Sequence, residues 1–228
     1  MAEQQTNQTG ATREAAGPAG EAIKARARDA LWRVWTPLAA VAARGYVAGP
    51  HLADALRASE ALSRQGFTVT LCHWSPVGTE PAAVAEAYCQ ALRQGGAATP
   101  GWYLSVKAPE LGYSRALAST VAREAQRAGL GLHFDSHGPE TADPTFALIA
   151  DLLPEYRNLG CTLPGRWERS QRDAERALEW GLRVRVVKGQ WREPGRPEQD
   201  ARRGCLAVID RLAGGPSRVA LASHDPVL

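Results

Sequence analysis

Residues 182–194 read Leu182-Arg183-Val184-Arg185-Val186-Val187-Lys188-Gly189, followed by Gln190-Trp191-Arg192-Glu193-Pro194. This stretch holds the clearest of six predicted strands, each of which ends in a polar or ionisable side chain. A short apolar run bounded by turn residues is typical of a buried strand. In barrels built from repeated strand and helix units, the active site lies at the carboxyl ends of the strands, in the loops that follow them. The stretch therefore predicts a parallel strand and also the edge at which a site would lie.

One unit recurs along the chain after Gly49: an amphipathic helix, a glycine suited to a left-handed cap, and a short apolar strand. The predicted strands cover residues 67–71, 102–107, 130–135, 160–163, 182–189 and 217–223. Thr79, Ser114 and Ser170 are expected to cap the helices that follow the first, second and fourth of these strands.

Strands that alternate with helices of roughly 10 to 15 residues imply right-handed crossovers and a parallel sheet. Periodicity alone leaves open whether the sheet is open and doubly wound or closed into a β/α barrel. No G-x-G-x-x-G motif follows the first strand and no Walker-type loop occurs in the sequence, so the usual phosphate-binding signatures of open sheets are absent.

Composition favours one soluble α/β domain without nucleic acid as a partner. The 228 residues are 44% hydrophobic and 22% charged, and 27 Lys and Arg residues against 24 Asp and Glu residues leave a scattered net charge of +3. Four cysteines stand far apart without a C-x-x-C pair, which indicates buried thiols in a reducing compartment. The chain has neither a secretory signal nor an apolar run of about 18 residues. We therefore expect a cytoplasmic protein, with peripheral contact with the inner membrane left open.

The chain divides into three predicted parts. Residues 1–18 have hardly any large apolar side chain and predict a flexible tail. Residues 19–48 carry apolar side chains at helical spacing, interrupted by Pro37, and predict an N-terminal helical segment. Residues 49–228 hold the repeating units and predict the barrel domain.

Two segments resemble the proline dehydrogenase family. The segment Val184-Arg185-Val186-Val187-Lys188-Gly189-Gln190-Trp191-Arg192-Glu193-Pro194 resembles the family's V-R-L-V-K-G-A-Y-x-E-P, and Leu221-Ala222-Ser223-His224-Asp225-Pro226 resembles I-A-T-H-D-P. Weaker similarity links Tyr46-Val47-Ala48-Gly49, Val69-Thr70-Leu71-Cys72-His73 and Ser105-Val106-Lys107 to the family's Y-V-A-G, V-T-L-D-H and S-V-K. The resemblance covers roughly residues 44–228 and implies an FAD-binding β/α barrel of the TIM type.

The resemblance implies roles for eight residues. Arg185 would lie near the flavin ring nitrogens, and the FAD pocket would include Lys188, Gly189, Ser223 and His224. Lys107 would face the substrate carboxylate, Asp135 would lie in the polar floor of the site, and Trp191 would replace a tyrosine beside the substrate.

The implied reaction is the oxidation of proline, or of a related cyclic amino acid, in proline catabolism. A hydride passes to flavin N5 and leaves an imine of the pyrroline-5-carboxylate type. The partners would be a small amino acid and an electron acceptor, for which a quinone is one candidate.

The sequence departs from the family pattern in three places. Leu163-Pro164-Gly165-Arg166 stands where the family has L-Q-A-Y, Cys72 stands where it has an aspartate, and the chain ends at Leu228, before two further strands and the substrate-clamping helix. We therefore expect a C-terminally short member whose barrel has about six of eight strands. Self-association would cover its open edges.

Two other functions remain open. The chain can be a truncated, non-catalytic relative that acts as a binding or interaction subunit. It can also be a lyase or isomerase that uses Lys107 or Lys188 as a Schiff base.

Several site residues also have a simpler interpretation. Arg185 can pair with a neighbouring carboxylate, Lys107 can be a solvated strand end, and Asp135 can form a hydrogen-bonded turn with His137. No third ligand has a suitable spacing for a metal beside Asp135 and His137.

Overall fold

The structure, a computed structural model, describes residues 48–95, 102–197 and 199–228. The predicted tail and nearly all of the predicted N-terminal helical segment lie outside these residues. The compact unit that carries the sheet runs from His51 to Leu228. Among the helices of the described residues, none is both long enough and apolar enough to span a bilayer.

Helices and strands alternate through this unit, as the recurring sequence pattern predicts. The elements are α1 (Leu52–Arg64), β1 (Thr70–Cys72), α2 (Pro81–Gly95), β2 (Tyr103–Val106), α3 (Arg115–Ala128), β3 (Gly131–Phe134), α4 (Ala142–Leu152), β4 (Leu159–Pro164), α5 (Ser170–Trp180), β5 (Arg183–Val187), α6 (Ala201–Leu212) and β6 (Val219–Ala222). Short 3-10 turns at Ala108–Leu111 and Pro139–Thr141 follow β2 and β3.

The strands form one parallel sheet in the order β1-β2-β3-β4-β5-β6. The sheet curls into a half-barrel, so the prediction of an incomplete TIM-type barrel is confirmed. Most of the strands are shorter than predicted. In particular, β1 begins at Thr70, not at residue 67.

The hydrophobic core lies between the convex face of the sheet and the helices. Alternate strand residues point to this face and are almost fully buried: Leu104, Val106, Leu132, Phe134, Cys161, Leu163, Val184 and Val186. They pack against apolar helix residues, of which Tyr88 is the largest that is fully buried. The residues between them on β2 to β5 point to the concave face, which carries the polar side chains described below.

The predicted caps are confirmed in part. The Ser114 hydroxyl accepts a hydrogen bond from the Leu117 amide, and Gly129 and Gly181 end α3 and α5 in the left-handed conformation. The predictions for Thr79 and Ser170 are wrong, because each hydroxyl donates to a backbone carbonyl. Thr79 donates to Pro76 at 2.7 Å, and Ser170, the first residue of α5, donates to Pro164 at 2.6 Å.

Helix α6 approaches the end of β4 at a glycine pair. A Cβ atom added to Gly204 would lie 1.7 Å from the Gly165 carbonyl oxygen, and one added to Gly165 would lie 2.5 Å from the Cys205 amide nitrogen. Both obstacles are backbone atoms, so neither can rotate away. The two glycines therefore set how closely α6 packs against β4.

We expect Gly204→Ala to lower the free energy of unfolding by about 1–3 kcal/mol, the usual cost of overpacking. Urea denaturation measures this loss. The matched control is Arg203→Ala at the neighbouring exposed position of α6, which should change stability by less than about 0.5 kcal/mol. An unchanged stability in Gly204→Ala would show that the helix can move away from the strand.

Candidate functional site

The register of the sheet aligns four polar side chains on the concave face. Val106 pairs with Phe134, and Thr162 pairs with Arg185. The Asp135 amide donates to the Val106 carbonyl at 2.9 Å, which extends the ladder beyond β3. Lys107, Asp135, Thr162 and Arg185 therefore occupy one row across β2 to β5. Lys107 and Asp135 directly follow β2 and β3, whereas Thr162 and Arg185 lie within β4 and β5. The row therefore leads to the carboxyl ends of β2 and β3, the end of the sheet at which β/α barrels place their sites.

Arg185, at the β5 end of this row, is held in place by two of the other members. Its Nη2 donates to the Asp135 carboxylate and to the Thr162 hydroxyl, the latter at 3.1 Å. The Arg185 and Asp135 side chains are 20% and 19% exposed. The simpler interpretation of Arg185 as one half of an ion pair is therefore correct in this structure. The pair leaves part of the guanidinium exposed towards the rim, which is the edge of the sheet formed by the loops that follow the strands.

A buried histidine on β3 contacts one member of this row, Thr162. His133 is fully buried on β3, and its Nε2 lies 2.9 Å from the Thr162 hydroxyl oxygen. Because that oxygen accepts from Arg185, its own proton is available to the histidine, so we assign a neutral ring with Nε2 as the acceptor. Burial, together with the nearby Arg185 and Arg183, holds the pKa of His133 well below its usual value. Sequence reasoning missed both His133 and Thr162.

Lys107 is buried, which contradicts the interpretation of it as a solvated strand end. Its Nζ donates to the His73 carbonyl at 3.0 Å and to Glu110 at 3.1 Å, and lies 4.3 Å from the centre of the Trp74 ring. The second Glu110 oxygen accepts from the Ser75 hydroxyl at 2.9 Å. Glu110 therefore neutralises the Lys107 cation, which was predicted to face a substrate carboxylate. The sequence analysis did not predict Glu110 as a site residue.

Cys72 lies close enough to both ion pairs to be affected by their charges. Burial raises the pKa of its thiol, the neighbouring Asp135 raises it further, and Lys107 opposes the shift. The thiol is therefore neutral where the resembling family has a carboxylate. The structure thus brings Lys107, Asp135 and Arg185 to one end of the concave face, but in two separate ion pairs.

A second group of cations lies after β5 and β6. Lys188 donates to Asp225 at 3.0 Å, and Arg202 from α6 donates to both oxygens of the same carboxylate at 2.9–3.2 Å. These hydrogen bonds hold the pKa of Asp225 well below its usual range. Ser223 accepts from the Asp225 amide at 2.9 Å, and His224 is exposed beside it. Arg202 was not predicted, since the sequence gives no sign that α6 reaches this loop.

The loop after β5 folds back over the loops after β3 and β4. Gly189 has a φ of +92°, and a Cβ atom there would lie 2.7 Å from the Pro164 Cβ. Trp191 is 41% exposed and stacks on His137, with ring centres 6.0 Å apart. Burial lowers the pKa of His137, so its neutral ring can stack on the indole. Trp191 therefore lies at the rim, beside the end of β3 that is followed by Asp135.

Comparisons with known proteins support the fold alone. Neither the scan against protein families nor the search of curated proteins finds a match for the sequence. Among solved structures, proline utilization A (PutA) from Bdellovibrio bacteriovorus, inactivated by N-propargylglycine, matches 80% of this chain with a TM-score of 0.66 and 17% identity. A PutA variant from Bradyrhizobium japonicum matches 62% of the chain with a TM-score of 0.49 and 18% identity.

The fold is therefore proline dehydrogenase-like, as the sequence resemblance implies. This assignment rests on the first structure, because the second has a TM-score below 0.5. The chain spans about a quarter of the length of the Bdellovibrio protein, with 25% of that chain covered.

The neutral state of His133 predicts a pH dependence of stability. The unfolded chain takes up a proton as the pH falls below about 6.5, whereas the folded chain does not. Stability is therefore complete above that pH and should decline below it, by up to ~1.4 kcal/mol per pH unit from this residue. Urea denaturation between neutral and mildly acidic pH measures the slope.

His133→Gln should flatten this slope, and the change in slope is informative even if the variant is less stable throughout. His51→Gln, at an exposed helix end, is the matched control and should keep the slope of the unmodified chain. An equal slope in His133→Gln would mean that His133 already binds a proton in the folded state.

Proposed function

We propose that this chain binds FAD and oxidises proline, or a related cyclic amino acid, to its imine. The observation behind the proposal is that Arg185, the central residue of β5, lies on the concave face and is fixed there by Asp135 and Thr162 within a proline dehydrogenase-like fold. Enzymes that use a flavin supply orientation and charge around it, and a fixed cation near the ring is one such contribution.

The residues at the rim fit a dinucleotide cofactor. Lys188 and Arg202 share the single carboxylate of Asp225, so this cluster keeps one net positive charge for a phosphate group. Gly189 has no side chain at a point where one would collide with Pro164, so the backbone of the two loops stays close together. Arg185, Lys188, Gly189, Ser223 and His224 are the residues that would hold the cofactor, with Arg202 added by the structure.

The bound flavin would supply the redox chemistry, by accepting a hydride from the ring carbon next to the amine. This chain would supply the substrate contacts. Lys107 would pair with the substrate carboxylate, which requires that its ion pair with Glu110 opens. Trp191, stacked on His137, would limit the size of the ring that enters. Asp135 would keep Arg185 oriented while the cofactor binds.

One observation favours a second function, that of a non-catalytic interaction subunit. Lys107 and Arg185 each have a carboxylate partner already, so any anionic ligand must compete with it. On β6, one of the two edge strands of the described sheet, Val219 and Leu221 are 43% and 36% exposed, which suits contact with another polypeptide. In this case the chain keeps the barrel fold but does not bind FAD.

The absorption spectrum of the purified protein, with and without added FAD, separates these functions. We expect a bound flavin band that proline bleaches under anaerobic conditions, with transfer of the electrons to an added dye or quinone. Lactate, which has a carboxylate but no amine, serves as the control and should leave the band unchanged. A protein that stays colourless after incubation with FAD would support the interaction subunit.

Replacement of Arg185 tests the charge beside the flavin. Arg185→Met should lower kcat by roughly 10²-fold, the usual cost of losing one preorganised donor, and Arg185→Lys should recover part of the loss. Arg211→Met removes an exposed arginine that pairs with Glu175 on α5, and its kcat should be unchanged. Steady-state kinetics with a dye acceptor gives these values. Full activity in Arg185→Met would remove Arg185 from the site.

A further inference from the structure

A second charged cavity lies at the opposite end of the sheet. It is formed by the segments that lead into β4, β5 and β6, and has a volume of about 320 Å³. Its polar lining comes from Arg157, Asn158, Arg183 and Arg218. These residues precede or begin their strands, whereas Arg185 is the central residue of β5 and Lys188 follows that strand. The cavity shares no lining residue with the candidate flavin site.

Within the part of the chain that the structure describes, the charges of this cavity have no counter-ions. None of the lining residues is acidic, and among the described residues none of the three arginines forms an ion pair. By contrast, Lys107, Arg185 and Lys188 at the other end each have a carboxylate within 4 Å. Three unpaired cations around one cavity repel one another, and an anion would relieve that repulsion.

Arg183 is the best fixed of the three. Its guanidinium lies over the Tyr103 ring at 4.5 Å, and its Nη2 is 3.4 Å from the Asn158 side-chain oxygen. Its Nη1 is buried and has no hydrogen-bond partner among residues 48–95, 102–197 and 199–228. Burial and the nearby Arg218 lower the pKa of Arg183, so the cation is less stable here than in water. Arg157 and Arg218 are exposed at the mouth, where an incoming anion would meet them first.

We propose that this cavity binds a phosphate group, either as inorganic phosphate or as a small phosphate monoester. A phosphate carries nearly two negative charges at neutral pH and can accept paired hydrogen bonds from several guanidinium groups at once. A single carboxylate would leave more of the positive charge uncompensated. The proposal does not depend on the proposed flavin chemistry.

Thermal unfolding of the full chain tests this site, with inorganic phosphate and glycerol 3-phosphate as separate probes. Sodium chloride at the same ionic strength is the reference. We expect at least one probe to raise the Tm by about 3 °C at a concentration several times its Kd. The double variant Arg157→Gln/Arg218→Gln should fold, because both side chains are exposed, and should lose the shift.

The control is Lys188→Gln/Arg202→Gln, which removes the other pair of cations that could hold a phosphate. This variant should keep the shift. The proposal is overturned if neither probe exceeds the effect of sodium chloride, or if Arg157→Gln/Arg218→Gln responds as the unmodified chain does. It is also overturned if the shift disappears only in Lys188→Gln/Arg202→Gln, since the phosphate then binds at the flavin end.

Discussion

The parallel register of the sheet is the constraint on which the site depends. Because side chains alternate between the two faces of a strand, the pairing of Thr162 with Arg185 places both on the concave face. A slip of one residue would direct Arg185 into the apolar layer now occupied by Val184 and Val186. The packed convex face therefore fixes the register, and the register in turn brings cations from separate stretches of chain to one rim.

The two ends of the sheet differ in how their charges are balanced. At the carboxyl end, Asp135, Glu110 and Asp225 each neutralise a cation from another part of the chain or from the same loop. An anionic ligand there must compete with carboxylates that are already in place, which favours a ligand able to contact several groups together. At the amino end the arginines have no such partners among the described residues, so even a small anion would gain their full attraction.

The sequence was sufficient for most of the fold but for only part of the site. Helical spacing, glycines such as Gly129 and Gly181, and strands that end in polar residues predicted the alternating elements, because each signal is local. The short motifs around Arg185 and His224 predicted the barrel type and the position of the rim. The ion pairs were not predictable, because Arg185 meets Asp135 across 50 positions of the chain and Lys188 meets Asp225 across 37. Arg202 and His133 lie outside any motif, so only the packing of α6 and the register of β3 reveal them.

We propose that the concave face at Arg185 holds an isoalloxazine ring. A crystal structure of the protein grown with FAD tests it most directly, since the position of the ring does not depend on turnover or on the electron acceptor. We expect electron density for the ring within hydrogen-bond distance of the Arg185 guanidinium, with the phosphates near Lys188 and Arg202. Density for FAD at any other surface, or none at a saturating concentration, would contradict it.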